Sequence, residues 1–417
     1  MKKRWISALL LAGLVLLLSG CGRPMTEKGP VPLSPLPSIT PKEEEPDPME
    51  GMPEFHTPED PVVFSTTSDH VRPIGRTVYH DDALWCTYSG SGIEFFFAGQ
   101  TCEITFLQNG IPEEGHAPRV AIYVDGDRTQ DFLLTEEWQT VTVLASEEDT
   151  IATVRVVKLS EVTDSVFGIE SVTTVGAISP IMESDRYIEF IGDSITCGYG
   201  VDGVLGEDVY STANEDCTKA YAYLTASMLG ADYSLVSISG FGIVSGYTDS
   251  GEKLADKVMP LYYENLGKSY GSLSGDIAPE DIAWDFSNRE PDIIVINLGT
   301  NDASYCGDDE ERRREYIDGY KEFLGTVRRN NPEAVIVCTL GIMGTTLCDS
   351  METAVAEFRE ETGDRSVRTM RFTEQDAADG LAVDWHPSET THAKAAVELT
   401  DFLTRLTAET SPEDVEQ

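Results

Sequence analysis

The sequence predicts a two-part chain of the α/β class. An all-β, jelly-roll-like sandwich is expected over residues 61–180, then a parallel sheet flanked by helices over residues 185–408. Three observations carry this. Between 61 and 180, runs such as "IEFFFAGQTCEITFLQ" and "PRVAIYVDGDRTQDFLL" alternate apolar and polar residues and are broken by Gly or Asp, the period of strands with one buried face. From Tyr187 onward, unbroken apolar runs alternate with longer amphipathic segments, the pattern of strands covered on both faces by helices. The length of 417 residues is enough for two or three domains.

Taken in order, the chain opens with Lys2, Lys3 and Arg4, then an apolar stretch from Ile6 to Leu18. That stretch is too short for a comfortable membrane span and reads as a secretory signal. It ends in "LSGC", which resembles the bacterial lipobox, so residues 1–21 are expected to be a lipoprotein signal with Cys21 as the lipidated thiol. A plain secretory signal that contains a cysteine is the other reading; either exports the mature chain. Residues 22–60 are rich in Pro and Glu without apolar periodicity, which predicts a disordered tether between a lipid anchor at the cell surface and the folded part.

Within the β part, "QTVTVLA" and "TIATVRVVKLS" are two further expected strands. Beyond Tyr187 the strands are "YIEFIG", "DYSLVSIS", "PDIIVINLG", "EAVIVCTLG" and "VRTMRF". Helical spacing marks "CTKAYAYLTASML", "DEERRREYIDGYKEFLGTVRRN", "METAVAEFREET" and "SETTHAKAAVELTDFLTRL". A parallel sheet of this kind places its site at the carboxyl ends of the strands.

The charge balance, 30 − 73 = −43, excludes nucleic acid as a partner, because phosphate binding needs a basic face. Seven cysteines follow Cys21, an odd number, and no CxxC pair occurs. At least one thiol is therefore unpaired, and a zinc or iron–sulfur centre is not expected.

Four blocks fall just past strand ends or before the last helix. They are "GDSITCGYG" with Ser194, "SGFG" with Gly240, "GTND" with Asn301 and "DWHPS" with Asp384 and His386. A hydroxyl, a glycine turn, an amide and an Asp/His pair are what acyl transfer requires: a nucleophile, a base and donors for an oxyanion. Singly, each block could be an ordinary turn or cap; together and in this order they point to one site.

These blocks resemble the SGNH (GDSL-type) hydrolase superfamily. The preceding β-sandwich makes the layout similar to carbohydrate esterase family two, over roughly residues 60–408. The resemblance implies removal of acetyl groups from plant polysaccharides or oligosaccharides of the xylan or mannan type, with no metal and no cofactor. It implies Ser194 as nucleophile and His386 as base. The N–H groups of Ser194 and Gly240, with the Asn301 amide, form the oxyanion hole, and Asp384 orients His386. Only Trp385 separates Asp384 from His386, where many SGNH enzymes have two residues, so a main-chain carbonyl is the competing orienting group. Trp385 is expected to line the acceptor-sugar site, with Trp284, Tyr262 and Tyr263 as further stacking candidates.

Two motifs are set aside. "GYGVDG" fits GxGxxG but does not open a helix directly after a strand. Asp384, His386 and His392 lack a convergent third ligand, and His392 sits on the final amphipathic helix. Two other readings stay open: a different SGNH acyl hydrolase such as a lipase or thioesterase, and a carbohydrate-binding surface protein without catalysis.

Overall fold

The structure is a computed structural model that describes residues 60–110 and 112–409. The signal and lipobox expected over 1–21, Cys21 included, and the tether expected over 22–60, save its last residue, lie outside the described residues.

The N-terminal part is antiparallel β. Its strands are β1 (Val62–Ser65), β2 (Arg72–Ile74), β3 (Thr77–His80), β4 (Ala83–Cys86), β5 (Gly92–Leu107), β6 (Arg119–Val124), β7 (Asp127–Leu133), β8 (Trp138–Lys158) and β9 (Phe167–Pro180). They share one hydrogen-bonded sheet in the order β3-β4-β9-β5-β8-β6-β7, with β1 on β9 and β2 on β5. The sheet encloses Phe95, Phe97, Ile104 and Phe106 of β5 with Val120, Val154, Val156 and Phe167. The expected short strands are in fact long: "QTVTVLA" and "TIATVRVVKLS" belong to the single strand β8 of 21 residues. Gly99 lies inside β5, at a bulge where the register on both neighbours shifts. A Cβ there would lie 2.3 Å from the Val175 carbonyl oxygen, so the glycine serves close strand approach, and the bulge lets a long strand bend without ending.

The C-terminal part is an open parallel sheet of five strands. They are β10 (Tyr187–Gly192), β11 (Asp232–Ser237), β12 (Ile293–Asn297), β13 (Val335–Leu340) and β14 (Val367–Arg371), in the order β11-β10-β12-β13-β14. The helices are α1 (Ser194–Cys197), α2 (Tyr221–Met228), α3 (Thr300–Cys306), α4 (Glu310–Asn330), α5 (Cys348–Thr362) and α6 (Glu389–Glu409). Alternate residues of each strand serve opposite faces. Ile294 and Ile296 of β12 pack with Tyr316, Phe323 and Val327 of α4 and Val355 and Phe358 of α5. Ile293 and Val295 face the other way, onto Ala222 of α2 and Leu399 and Leu403 of α6. Both faces are apolar, which is why these strands read as unbroken apolar runs.

The chain leaves β10 for β11 on one side and returns to β12 on the other. Connections therefore diverge at the carboxyl end of β10, which opens a crevice there. α1, the loop after β11 and α3 hold Ser194, Gly240 and Asn301 just past the carboxyl ends of β10, β11 and β12. All seven described cysteines are buried free thiols. No described helix is long and apolar enough to cross a membrane.

Candidate active site

The last residue of β10, Gly192, must lack a side chain: a Cβ there would lie 2.0 Å from the Thr196 hydroxyl. Asp193 then caps α1, its Oδ1 accepting the Ile195 N–H at 3.0 Å. Ser194 is thus the first residue of a four-residue helix, where backbone N–H groups have no acceptor within the helix. Burial pushes the Asp193 carboxyl up to about 7.

Asn301 ties the blocks together. Its Nδ2 donates to Asp193 Oδ2 at 3.2 Å, beside Ser194, and to the Phe241 carbonyl at 2.8 Å, beside Gly240. Asp302 completes the tie by accepting the N–H groups of Ile243 and Val244 at 2.8 Å and of Ser245 at 3.0 Å. Burial still raises Asp302 to about 6 against those bonds. Gly240 has φ +78° and open space where a Cβ would stand; the positive φ is what favours glycine in this turn.

His386 arrives from the segment before α6. Its Nδ1 lies 3.0 Å from the Val383 carbonyl oxygen. A carbonyl can only accept, so Nδ1 carries the proton and Nε2 is left with its lone pair. Burial lowers the imidazole to about 4, although the Val383 carbonyl and the Asp384 charge both raise it. At neutral pH the ring is therefore uncharged, the state a base needs. One face of the ring lies on Tyr199, 4.4 Å between centroids at 32°. The N–H of Tyr199 donates to the Ser194 carbonyl at 3.1 Å. Among the described residues no direct hydrogen bond joins Ser194 to His386; the connection runs through Tyr199.

Asp384 does not hold the imidazole, which corrects its expected orienting role. Asp384 (φ 51°) and Trp385 (φ 67°) are consecutive left-handed residues, and this turn sends the carboxylate to the Tyr199 hydroxyl, 3.0 Å away. The structure thus has the main-chain carbonyl where the competing expectation put it. Asp384→Asn is expected to change kcat on 4-nitrophenyl acetate by less than about tenfold. Loss of a directly orienting carboxylate costs about 10⁴-fold, so a fall near that size would restore Asp384 to the catalytic set.

Residues 190–394 match the GDSL-like lipase/acylhydrolase family, and residues 73–179 match the carbohydrate esterase 2 N-terminal family. A solved family two carbohydrate esterase from Clostridium thermocellum, in complex with cellohexaose, is 30% identical. It covers 81% of this chain and 99% of its own, with a TM-score of 0.69. The chain belongs to carbohydrate esterase family 2. Membership places it among carboxylic ester hydrolases. The cellulase/esterase CelE of Acetivibrio thermocellus is 33% identical over 76% of this chain, which spans 37% of that protein's length. An acetylxylan esterase/glucomannan deacetylase of Cellvibrio japonicus is 27% identical over 82% of this chain and 90% of its own.

In this family 2 chain the four aromatic candidates separate. Trp385, next to His386, is 64% exposed. Its carbonyl is held by Gln375 Nε2 at 2.9 Å, leaving the indole open to solvent. Tyr262 is half-buried and packs edge-on against Phe241, 5.6 Å between centroids. Tyr263 and Trp284 do not serve the crevice. Tyr263 is fully buried and donates to Glu189 Oε1 at 3.0 Å. Glu189 in turn pairs with Arg76, whose guanidinium stacks over Tyr263 at 4.8 Å and Trp284 at 5.3 Å. These two aromatics shield a buried ion pair between the β part and β10. His392, set aside as a ligand, is buried and its Nδ1 accepts the Tyr221 N–H at 3.2 Å. The Val383 carbonyl carries no side-chain signature in a sequence. Tyr199 stands inside the quoted "GDSITCGYG" but has no role there until the ring beside it is known.

Proposed function

We propose that this protein is an exported serine esterase that removes acetyl groups from xylan- or mannan-type polysaccharide. Lipidation of Cys21 anchors it at the cell surface, with residues 22–60 as the tether. The observation that carries the reading is the His386 ring, with Nδ1 fixed on the Val383 carbonyl and its face on the residue bonded to Ser194. Nε2 keeps its lone pair free, and the proposed mechanism gives it the proton of Ser194.

The Ser194 Oγ attacks the acetyl carbonyl carbon while its proton passes to Nε2 of His386. The N–H groups of Ser194 and Gly240 meet the developing oxyanion, joined by Nδ2 of Asn301, which turns its longer bond, the 3.2 Å one to Asp193, to the oxyanion and keeps the one to Phe241. The bond to the sugar oxygen breaks as Nε2 returns the proton to that oxygen. Water attacks the acetyl-serine, Nε2 accepts its proton, and acetate leaves with Ser194 restored. Exposed Trp385 offers the sugar a stacking face. The named activities of the Cellvibrio japonicus relative support acetylated xylan and glucomannan as substrates.

The test is acetate release from acetylated xylan and acetylated glucomannan, set against nitrophenyl esters of acetate, butyrate and decanoate. The reading expects release from at least one glycan and a steep fall with acyl length. A preference for decanoate would favour a lipase. The cellohexaose complex of the Clostridium thermocellum neighbour supports a second reading, glycan binding without catalysis. Retention on a glycan gel without any acetate release would select it.

A further inference from the structure

The loop between β8 and β9 belongs to the β part, yet one of its carboxylates touches the turn before Gly240 and another the tyrosine stack beside His386. Glu161 Oε2 accepts the N–H of Ser239, the residue before Gly240, at 2.8 Å. The same oxygen lies 3.9 Å from Cys197 Sγ on α1, the helix that begins at Ser194. One carboxylate therefore touches both elements that supply main-chain oxyanion donors. Asp164 takes a second route. Its Oδ2 accepts the Tyr210 hydroxyl, whose oxygen also lies 3.0 Å from Glu215 Oε2. The Tyr210 ring lies parallel on Tyr199, 3.9 Å between centroids at 4°. Tyr199 is thus sandwiched, with Tyr210 on one face and His386 on the other.

We infer that the β part positions the reaction centre through Glu161, which holds the turn before Gly240, and through Asp164, which holds the Tyr210–Tyr199 stack against His386. The inference rests on the acyl-transfer reading of that site. These are positioning residues; none touches the reacting atoms. Two features suit the role. The anchors are buried: Glu161 and Asp164 are at most 9% exposed, and Glu215 is fully buried. They are also held from behind. Glu215 Oε2 accepts the Glu161 N–H at 2.9 Å, and Lys158 Nζ donates to the Glu161 and Ser160 carbonyls, each at 2.7 Å. His116 meets the far oxygen of Asp164 at 2.6 Å. Burial, with the neighbouring carboxylates, raises both Glu161 and Glu215.

The test uses the full chain and 4-nitrophenyl acetate, a substrate without sugar contacts. Competent serines are counted by a serine-directed organophosphate, so that misfolded protein does not enter kcat. Tyr199→Leu is expected to lower kcat per titrated serine by about 10- to 100-fold, with KM within about threefold. Tyr199→Phe, which keeps the ring, should restore most of that loss. Glu161→Ala should behave like Tyr199→Leu, and Glu161→Gln, which keeps an acceptor for Ser239, should rescue it. Tyr210→Phe removes one hydroxyl only and covers the case in which the larger changes do not fold. A kcat per serine within twofold of the parent in Tyr199→Leu, Glu161→Ala and Tyr210→Phe overturns the inference, as does a rise in KM alone. Failure of the catalytic reading shows elsewhere, as acetate release that survives Ser194→Ala.

Discussion

Ser194→Ala is expected to lower acetate release by about five to six orders of magnitude, the scale seen when a nucleophilic serine is removed. The change removes only Oγ, while the capping bond from Asp193 to Ile195 and the ties through Asn301 stay in place. Folding stability should therefore change little, and denaturation monitored by circular dichroism should give a midpoint near that of the parent. Glycan retention on a native gel should persist, since the exposed Trp385 is untouched. Acetate release from acetylated xylan, followed by an enzymatic acetate assay, decides the matter. Residual turnover within about a hundredfold of the parent would mean that another group attacks the ester.

The second large effect is expected at Asn301. Removing one oxyanion donor costs about 100- to 1,000-fold in rate, so Asn301→Ala should reduce kcat by that amount. The oxyanion exists only in the transition state, so KM should move little. Asn301 also fastens the Gly240 turn to the start of α1, through Phe241 and Asp193. The loss should therefore lie toward the upper end of the range, with part of it from a displaced Gly240 N–H. Steady-state kinetics on 4-nitrophenyl acetate separates the cases. A kcat near the parent with a large rise in KM would make Asn301 a ground-state contact and remove it from the oxyanion hole.

The candidate blocks were legible because each is a local event. Gly192 is needed where a Cβ would strike Thr196, Asp193 caps the helix it precedes, and Gly240 adopts a positive φ. Such demands act on residues next to one another in the chain and leave a mark there. The strands of the parallel sheet were equally legible, because burial on both faces permits only apolar residues. The β part was read less well. Gly99 looks like a break in the sequence but is a bulge inside a long strand, since a glycine that ends a strand and one that admits a neighbouring strand look alike.

The partner of His386 and the duties of the tyrosines belong to the tertiary structure. The group on Nδ1 is a main-chain carbonyl, which every residue possesses, so no residue type can announce it. Asp384 is two positions from His386, and extended geometry would point both the same way; the left-handed pair at 384 and 385 breaks that alternation. Tyr263 and Trp284 read as stacking residues in the sequence, yet Arg76, more than a hundred and eighty positions upstream of Tyr263, stacks on both, with Tyr263 buried and Trp284 half-buried. The sequence alone therefore determined the class of the sheet and the order of the four blocks. Only folding decided which acceptor steadies the imidazole and which aromatics meet solvent, because those choices depend on groups far apart in the chain that become neighbours only when the two parts pack.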